Sequence, residues 1–275
     1  MKQIILPTDF SDNSWRAMSY AAQLYSFEPC QFTILHTFHV SQNFSEVSIA
    51  VDVQSLQKDA DKSTADITER FKELDHHEDS RIDSIAKFAS LVDAIRDLEE
   101  KDPSNTVIVM GTRGANALGE LFLGTMTSHV LKHSKVPLIC VPNEAEMRPP
   151  KKIMLAVDQD GVDRKDEINT LIELAEQHQS EVSVVNVPME KDALFGEDLA
   201  EKFVIDHYLD EIPHTYYNLP GEYKEDVITL FAEQHKMDLL VFIKRERGFW
   251  SNLFHRSLTE SMAYHSDKPM LVLRS

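Results

Sequence analysis

Short runs of consecutive apolar residues alternate along the chain with stretches in which apolar residues recur at helical spacing. In the first half, the apolar runs predict strands at 3–6, 32–38, 81–88, 106–110 and 137–141. Helical spacing predicts helices at about 13–25, 53–74 and 91–100, and one that ends near residue 133. Strands that alternate with helices in this order are typical of an α/β fold with a parallel, doubly wound sheet.

The same pattern begins again in the second half of the chain. The segment KKIMLAVDQD from Lys151 is similar to KQIILPTDFS from Lys2, at an offset of 149 residues. The segment LFHRSLTESMAYHSDKPMLVL from Leu253 is similar to LFLGTMTSHVLKHSKVPLICV from Leu121, at an offset of 132. Because both ends of the repeat align, we interpret the chain as a tandem duplication. The second copy is 17 residues shorter, and the loss falls between its second and third strands.

The duplication predicts two domains, each with a five-stranded sheet. A length of 275 residues is typical of two domains, each large enough to bury a core. We place the first domain at 1–142 and the second at 151–275, joined by a linker at 143–150 that is rich in proline and charge. The helix at 53–74 is amphipathic and heavily charged, and we expect it to make few core contacts.

Composition excludes several classes of partner. The net charge of −18 is spread over both halves, and binding nucleic acid or an anionic membrane requires clustered basic residues. The first apolar run stops at Pro7, too early for a signal peptide, and no run reaches the length of a membrane span, so we expect a cytoplasmic protein.

The two cysteines, Cys30 and Cys140, are too few for a disulfide scaffold, and Cys140 lies in an apolar run that predicts burial. The histidines show no metal-ligand spacing with the cysteines, so we predict no metal site.

Glycines cluster in one loop, between the predicted strand at 106–110 and the helix that follows it. Four of the chain's eight glycines fall within residues 110–128, MGTRGANALGELFLGTMTS. Glycine permits a positive φ and a close approach to the backbone, and a helix N-terminus adds unpaired N–H groups with a partial positive charge. Together they predict an anion site, most often for phosphate, the alternative being a long turn capped by glycines.

The spacing within this loop differs from two well-known phosphate loops, since the chain has no GxxxxGK[ST] and no GxGxxG after a strand. It has GxxG, nine residues, then G[ST], at Gly111, Gly114, Gly124 and Thr125. This resembles the nucleotide signature of the universal stress protein family, as does PTDFS at 7–11. One departure is Ala117, where the family commonly has a further glycine.

The resemblance implies a Rossmann-like domain of the adenine nucleotide alpha hydrolase type, with strand order 3-2-1-4-5. Ligands of such sheets lie beyond the carboxyl ends of the strands, where the strand order reverses, here between strands one and four. The resemblance also implies ATP as the ligand, which Mg²⁺ can accompany. The fifth strands, apolar on both faces, lie at sheet edges that need cover. In the family they meet antiparallel, which implies an internal pseudo-dimer and leaves a further homo-oligomer open.

Asp9 ends strand one and Gly111 ends strand four, so we expect them to meet at this crevice. A carboxylate at Asp9 can accept hydrogen bonds from a ribose hydroxyl or an adenine amino group, and the alternative is an acid that initiates the turn before a helix. Backbone N–H groups of the glycine loop and of the following helix can bind phosphates. By position in the family, Pro7, Thr37 and Met110 line the adenine slot. The predicted nucleotide-binding residues are Pro7, Thr8, Asp9, Thr37, Met110, Gly111, Gly114, Gly124, Thr125 and Met126.

The second copy differs at the same positions. Ile243, Glu246 and Arg256 replace the three signature glycines, and residues 257–260 (SLTE) form a capping box that supplies the helix with its own oxygens. The β-branched residue resists a positive φ, and the glutamate places negative charge where a phosphate would bind. We therefore predict a nucleotide site in the first domain alone. The basic residues of the second loop are expected to form a solvated loop, the alternative being an anion site; they are Lys244, Arg245, Arg247 and Arg256.

The sequence favours an ATP-binding universal stress protein whose second domain is a degenerate structural or regulatory copy. No catalytic residues are predicted. A slow ATP hydrolase or phosphotransferase is the first alternative, with Asp9, Glu120 and His129 as candidate groups. A scaffolding pseudo-dimer without nucleotide is the second, if Ala117 and Arg113 spoil the loop. We expect nucleotide to change stability and partner binding, and to order residues 40–79.

Overall fold

The computed structural model describes residues 1–39, 52–74, 76–112, 125–157, 161–162, 164–186, 199–219, 224–244 and 267–274. The first half contains β1 (Lys2–Pro7), α1 (Asp12–Leu24), β2 (Cys30–Phe38), α2 (Val53–Lys72), β3 (Arg81–Phe88), α3 (Leu91–Glu99), β4 (Thr106–Gly111), α4 (Thr125–His133) and β5 (Leu138–Val141). The second half contains β6 (Lys152–Val157), α5 (Asn169–His178), β7 (Glu181–Asn186), α6 (Leu199–Tyr208), β8 (His214–Asn218), α7 (Lys224–Gln234), β9 (Leu239–Lys244) and β10 (Met270–Arg274).

These strands form a single ten-stranded sheet in the order β3-β2-β1-β4-β5-β10-β9-β6-β7-β8. Each half has the predicted order 3-2-1-4-5, and neighbouring strands within a half are parallel. The two halves join where β5 pairs antiparallel with β10, with Ile139 opposite Leu271. The expected antiparallel meeting of the fifth strands is confirmed, and it makes one continuous sheet of the two predicted ones.

Both faces of the sheet are covered, which explains the continuous apolar runs in the sequence. Ile4 and Leu6 of β1 point to the face covered by α1, whereas Ile5 between them points to the face covered by α3 and α4. All three side chains are fully buried. Both cysteines are buried as well, which confirms the prediction for Cys140, and burial raises the pKa of its thiol to about 12.

The expectation that the charged helix makes few core contacts is wrong. One face of α2 is buried, formed by Ala60, Thr64, Thr68 and Phe71. The Phe71 ring is fully buried and packs edge-on against Phe32 of β2, with ring centroids 5.3 Å apart. The threonine hydroxyls donate to the carbonyls four residues earlier, at 2.7 and 2.6 Å, so polar residues occupy buried positions without unpaired groups.

A second contact between the halves lies at the carboxyl ends of α1 and α5. His178 is buried, and its Nε2 donates to the Leu24 carbonyl at 2.9 Å. The Phe27 ring packs edge-on against the His178 ring, and Lys2 forms an ion pair with Glu173. Because Leu24 is the last residue of α1, its carbonyl has no partner within the helix, and His178 supplies one from the other domain.

His178 is expected to make this contact sensitive to acid. Burial lowers the pKa of His178 below its usual value, the hydrogen bond to Leu24 opposes that shift, and Lys151 adds to it. The unfolded chain, with a histidine pKa of about 6.5, therefore binds more protons than the folded chain just below that pH. Stability present above about pH 6.5 is lost as the pH falls through the folded-state pKa.

Urea unfolding at pH 7 and pH 5 measures this effect in the full-length protein. His178→Gln keeps a hydrogen-bond donor but does not titrate, so it should lose less stability than the wild type between the two pH values. The exposed His207, changed to glutamine, serves as the control and should behave as the wild type. Equal losses in the His178 variant and the wild type would contradict the prediction.

Within the part of the chain described, no helix has both the length and the apolar character required to cross a membrane.

Candidate functional site

The carboxyl ends of β1 and β4 meet at the point where the strand order reverses. The two strands are neighbours, paired from Gln3 opposite Thr106 onward. β1 ends at Pro7, two residues before Asp9, and β4 ends at Gly111. The structure therefore brings the two predicted groups, Asp9 and Gly111, to one edge of the sheet, where open α/β folds bind ligands.

Three further predicted residues share one face of the sheet at this edge. The register of β1 with β4 sets Pro7 level with Met110, and the register of β1 with β2 sets it opposite Leu35, two residues before Thr37. Successive residues of a strand point to opposite faces, so Pro7, Thr37 and Met110 lie on the side covered by α3 and α4. Pro7 and Met110 are buried, and Thr37 is half-buried.

Thr8 holds the loop that follows β1. Its side chain is buried, and its hydroxyl accepts from the Phe10 N–H at 3.0 Å and lies 3.0 Å from the Ser14 hydroxyl. Its N–H donates to the Leu35 carbonyl at 2.9 Å, and its own carbonyl lies 2.9 Å from His36 Nδ1. These hydrogen bonds of Thr8 hold the loop that carries Asp9.

Asp9 is exposed at the strand edge. Its Oδ1 accepts from the N–H and the hydroxyl of Ser11, at 3.1 and 2.5 Å. Ser11 in turn caps α1, since its hydroxyl oxygen accepts from the Ser14 N–H at 3.2 Å. The structure therefore shows the alternative role predicted for Asp9, that of an acid which shapes the turn before a helix. The same carboxylate lies at the predicted ligand edge.

His36 lies at this edge of the sheet, and the sequence predicts no role for it. Because the Thr8 carbonyl can only accept, Nδ1 of His36 carries the proton, which leaves Nε2 as an acceptor in the neutral ring. The ring lies 4.3 Å from that of Phe10, and Phe10 has a φ of 63°, which bulky residues rarely adopt. Its position could have indicated a role, since His36 lies near the carboxyl end of β2, the strand next to β1.

Gly111 is required by a close approach of α1. A Cβ at this position would lie 2.2 Å from Asn13 Oδ1 and 2.9 Å from the Asn13 carbonyl oxygen. The Asn13 amide also donates to the Val141 carbonyl at 3.4 Å, and the Thr127 hydroxyl donates to the Gly111 carbonyl at 2.8 Å. Gly111 thus joins the end of β4 to both α1 and α4.

The predicted phosphate-binding helix begins at this edge. Thr125 and Met126 form its first turn and are exposed, whereas Thr127 is buried and anchors α4 to β4. His129, named for the hydrolase alternative, is exposed one turn later with its ring 4.5 Å from that of His133. The remaining loop positions named from the sequence lie outside the described residues; they are Arg113, Gly114, Ala117, Glu120 and Gly124.

The position equivalent to Gly111 in the second domain is occupied by an aliphatic side chain. Ile243 stands at the repeat position of Gly111. It is 4% exposed and lies in the hydrophobic core. The glycine that admits the close approach of Asn13 is therefore replaced by a buried β-branched residue. Glu246, Arg256 and the capping box at 257–260 lie outside the described residues.

The expectation that the basic residues of the second loop are solvated is wrong for Lys244. Its Nζ donates to the carbonyls of Leu131 and Lys132, at 2.9 and 3.2 Å. Burial lowers the pKa of Lys244 to about 8, and the nearby charges of Arg274 and Lys132 act in the same direction. The other basic residues named with it lie outside the described residues; they are Arg245, Arg247 and Arg256.

The solved structures that are similar to this chain include two that cover nearly all of it and one that covers half of it. A universal stress protein from Archaeoglobus fulgidus DSM 4304 is similar with a TM-score of 0.73 and 18% identity, covering 99% of this chain and 96% of that one. A protein of unknown function from Pseudomonas aeruginosa PAO1 gives 0.64 and 13%, covering 100% and 92%. A universal stress protein in complex with cAMP matches 51% of this chain and 96% of that one, with a TM-score of 0.38 and 19% identity.

Comparison with curated proteins gives no match. The family model of the universal stress proteins matches the chain twice, at residues 1–142 and 149–274. These matches span both copies of the repeat and nearly the whole sequence. The chain therefore belongs to the universal stress protein family, in a tandem two-domain form.

Proposed function

We propose that the first domain binds one molecule of ATP and that the second domain binds none. The observation that carries the proposal is the difference between the copies at one position. Gly111 leaves room for α1 to approach β4 through Asn13, whereas Ile243 carries a buried aliphatic side chain at the matching position of the second domain. The edge beside Gly111 also presents the exposed first turn of α4, whose helix dipole favours an anion.

The described residues suit the parts of an adenine nucleotide. Pro7, Thr37 and Met110 offer one face of the sheet edge to the adenine ring. Asp9 offers a carboxylate to a ribose hydroxyl or an adenine amino group, and the first turn of α4 offers Thr125 and its backbone to the phosphates. In this proposal Mg²⁺ can accompany the phosphates of ATP.

In this proposal, nucleotide occupancy acts as a regulatory signal in the stress response. The groups at the edge are backbone N–H groups and a hydroxyl, which can hold a phosphate, and a carboxylate for the ribose or adenine, whereas hydrolysis also needs a positioned water. A ligand at one hundred times its dissociation constant stabilises a fold by about 2.7 kcal/mol. That is a large share of a typical stability of about 5–15 kcal/mol, so occupancy alone changes the protein's stability and its binding of partners.

Titration calorimetry of the full-length protein with ATP and Mg²⁺ is expected to give one site per chain. Asp9→Asn removes the charge and should weaken binding by about tenfold, equivalent to about 1.4 kcal/mol. Asp158→Asn makes the same change at the matching position of the second copy and should leave affinity unchanged.

Two sites per chain, or equal effects of the two variants, would overturn the assignment to the first domain. Phosphate release measured in the same samples separates the alternatives. Multiple turnovers at about 1 s⁻¹ or faster would indicate an ATP hydrolase. No binding of ATP by the wild type would leave the scaffolding pseudo-dimer.

A further inference from the structure

Helix α4 connects the candidate phosphate edge with the junction of the two domains. It has nine residues, so it is about 13 Å long. Its first turn, at Thr125 and Met126, is exposed at the edge where we propose that phosphates bind. Its last turn contacts side chains of the second domain.

Two cations of the second domain bind the carboxyl end of α4. The Leu131 carbonyl accepts from Lys244 Nζ at 2.9 Å and from an Arg274 Nη at 2.6 Å, and the Lys132 carbonyl accepts from Lys244 at 3.2 Å. The last carbonyls of a helix have no partner within it, and positive charge at that end interacts favourably with the helix dipole. We call Lys244 and Arg274 together the trans cap, since they cap a helix of the other domain.

The two cations of the trans cap have no counterparts at the matching positions of the first domain. At the repeat offset of 132, Lys244 corresponds to Thr112 and Arg274 corresponds to Pro142. Neither of these residues has a cationic side chain, so the first domain has no matching pair at these positions. The copy that has lost the glycine signature supplies the cap, and the copy that keeps the signature receives it.

The first domain holds the same end of α4 from the other side. Glu99, the last residue of α3, is buried and accepts from the Ser134 hydroxyl at 2.8 Å and from the Lys135 N–H at 3.3 Å. Ser134 also donates its N–H to the Val130 carbonyl at 2.8 Å, which continues the helical hydrogen bonding past His133. The carboxyl end of α4 is therefore fixed between Glu99 and the trans cap.

We propose that Lys244 and Arg274 are positioning residues for the nucleotide site, through which the second domain sets the ATP affinity of the first. This inference rests on the proposed function. An anion at the N-terminus of α4 and cations at its C-terminus stabilise the same helical state, so each strengthens the binding of the other. Such coupling is reciprocal, so ATP also tightens the contact of α4 with the second domain.

ATP affinity in full-length variants measures the coupling. Lys244→Met combined with Arg274→Met should weaken ATP binding by about fivefold or more. Lys244→Arg keeps the charge and should lie closer to the wild type than Lys244→Met does. Lys152→Met removes a lysine of the second domain that pairs with Glu181 and should leave affinity unchanged.

Hydrogen exchange of α4, with and without ATP, supplies the second readout. In the wild type, ATP should slow exchange at the amides of residues 130–134, and in the double variant this slowing should be largely lost. Near-UV circular dichroism checks that the double variant is folded. If it is not folded, the ATP affinities of Lys244→Met and Lys244→Arg test the coupling instead.

Unchanged ATP affinity in the double variant would overturn the coupling, even if α4 exchanged faster, because the cap would then be a structural contact alone. A wild type that binds no ATP would overturn the proposed function itself, and this outcome is distinct because it needs no variant.

Discussion

Leu271→Ala is expected to lower the free energy of unfolding by about 2–5 kcal/mol and to weaken both domains together. Leu271 is fully buried in β10, where it lies opposite Ile139 of β5 and Val241 of β9. Its core cluster contains residues of both halves, so the cavity left by the substitution is shared between them.

Urea unfolding with two probes tests this expectation. In a Trp250→Phe background, Trp15 is the remaining tryptophan, so its fluorescence follows the first domain while far-UV circular dichroism follows the whole chain. Leu230→Ala, at a residue that is 54% exposed, makes the same chemical change in the second domain and should cost less than about 0.5 kcal/mol. A Trp15 transition that stays in place in Leu271→Ala would mean that the two domains unfold independently.

Gly111→Ala should destabilise the protein by about 1–3 kcal/mol and also weaken ATP binding. The added methyl group would lie 2.2 Å from Asn13 Oδ1 and 2.9 Å from the Asn13 carbonyl oxygen. The side chain of Asn13 can rotate away, but the carbonyl belongs to the backbone of α1, so the helix itself must move. The end of β4 and the start of α4 are tied to Gly111, so that movement would disturb the proposed ligand edge.

A double-mutant cycle with Asn13→Ala separates the two contacts. Removing the Asn13 side chain should reduce the cost of Gly111→Ala by more than about 0.5 kcal/mol, and the remainder should report the backbone contact. Urea unfolding of the four proteins gives the coupling free energy. An equal cost of Gly111→Ala in both backgrounds would show that the Asn13 side chain is not what requires glycine.

The strands could be predicted from the sequence because burial on both faces leaves an unbroken apolar signal. β4 was predicted at 106–110 and is Thr106–Gly111, with every residue buried. The edge strand β3 has far less burial, yet its predicted range of 81–88 matches Arg81–Phe88. The amphipathic pattern of α2 predicts a buried face but not its extent, because the threonines on that face satisfy their hydroxyls locally, which no pattern of apolar residues records.

The site could be predicted only in part, because its decisive contacts join distant segments. Asp9 and Gly111 follow from the rule that ligands lie where the strand order reverses. The approach of Asn13 to Gly111 and the contact of Lys244 with Leu131 depend on how helices pack, which spacing along the chain does not record. Alignment of the repeats identifies Ile243 as the replacement of Gly111, and the structure adds that the Ile243 side chain is buried.

Because β5 and β10 belong to one chain, their antiparallel pairing does not depend on protein concentration. Two separate chains that paired in this way would dissociate on dilution, and any property of the pair would vary with protein concentration. Here the segment at 143–150 joins the two domains in one chain, so their association is intramolecular and does not depend on protein concentration. The junction therefore stays formed however few copies a cell contains, and the coupling that we propose between the domains would depend on nucleotide concentration and not on the amount of protein.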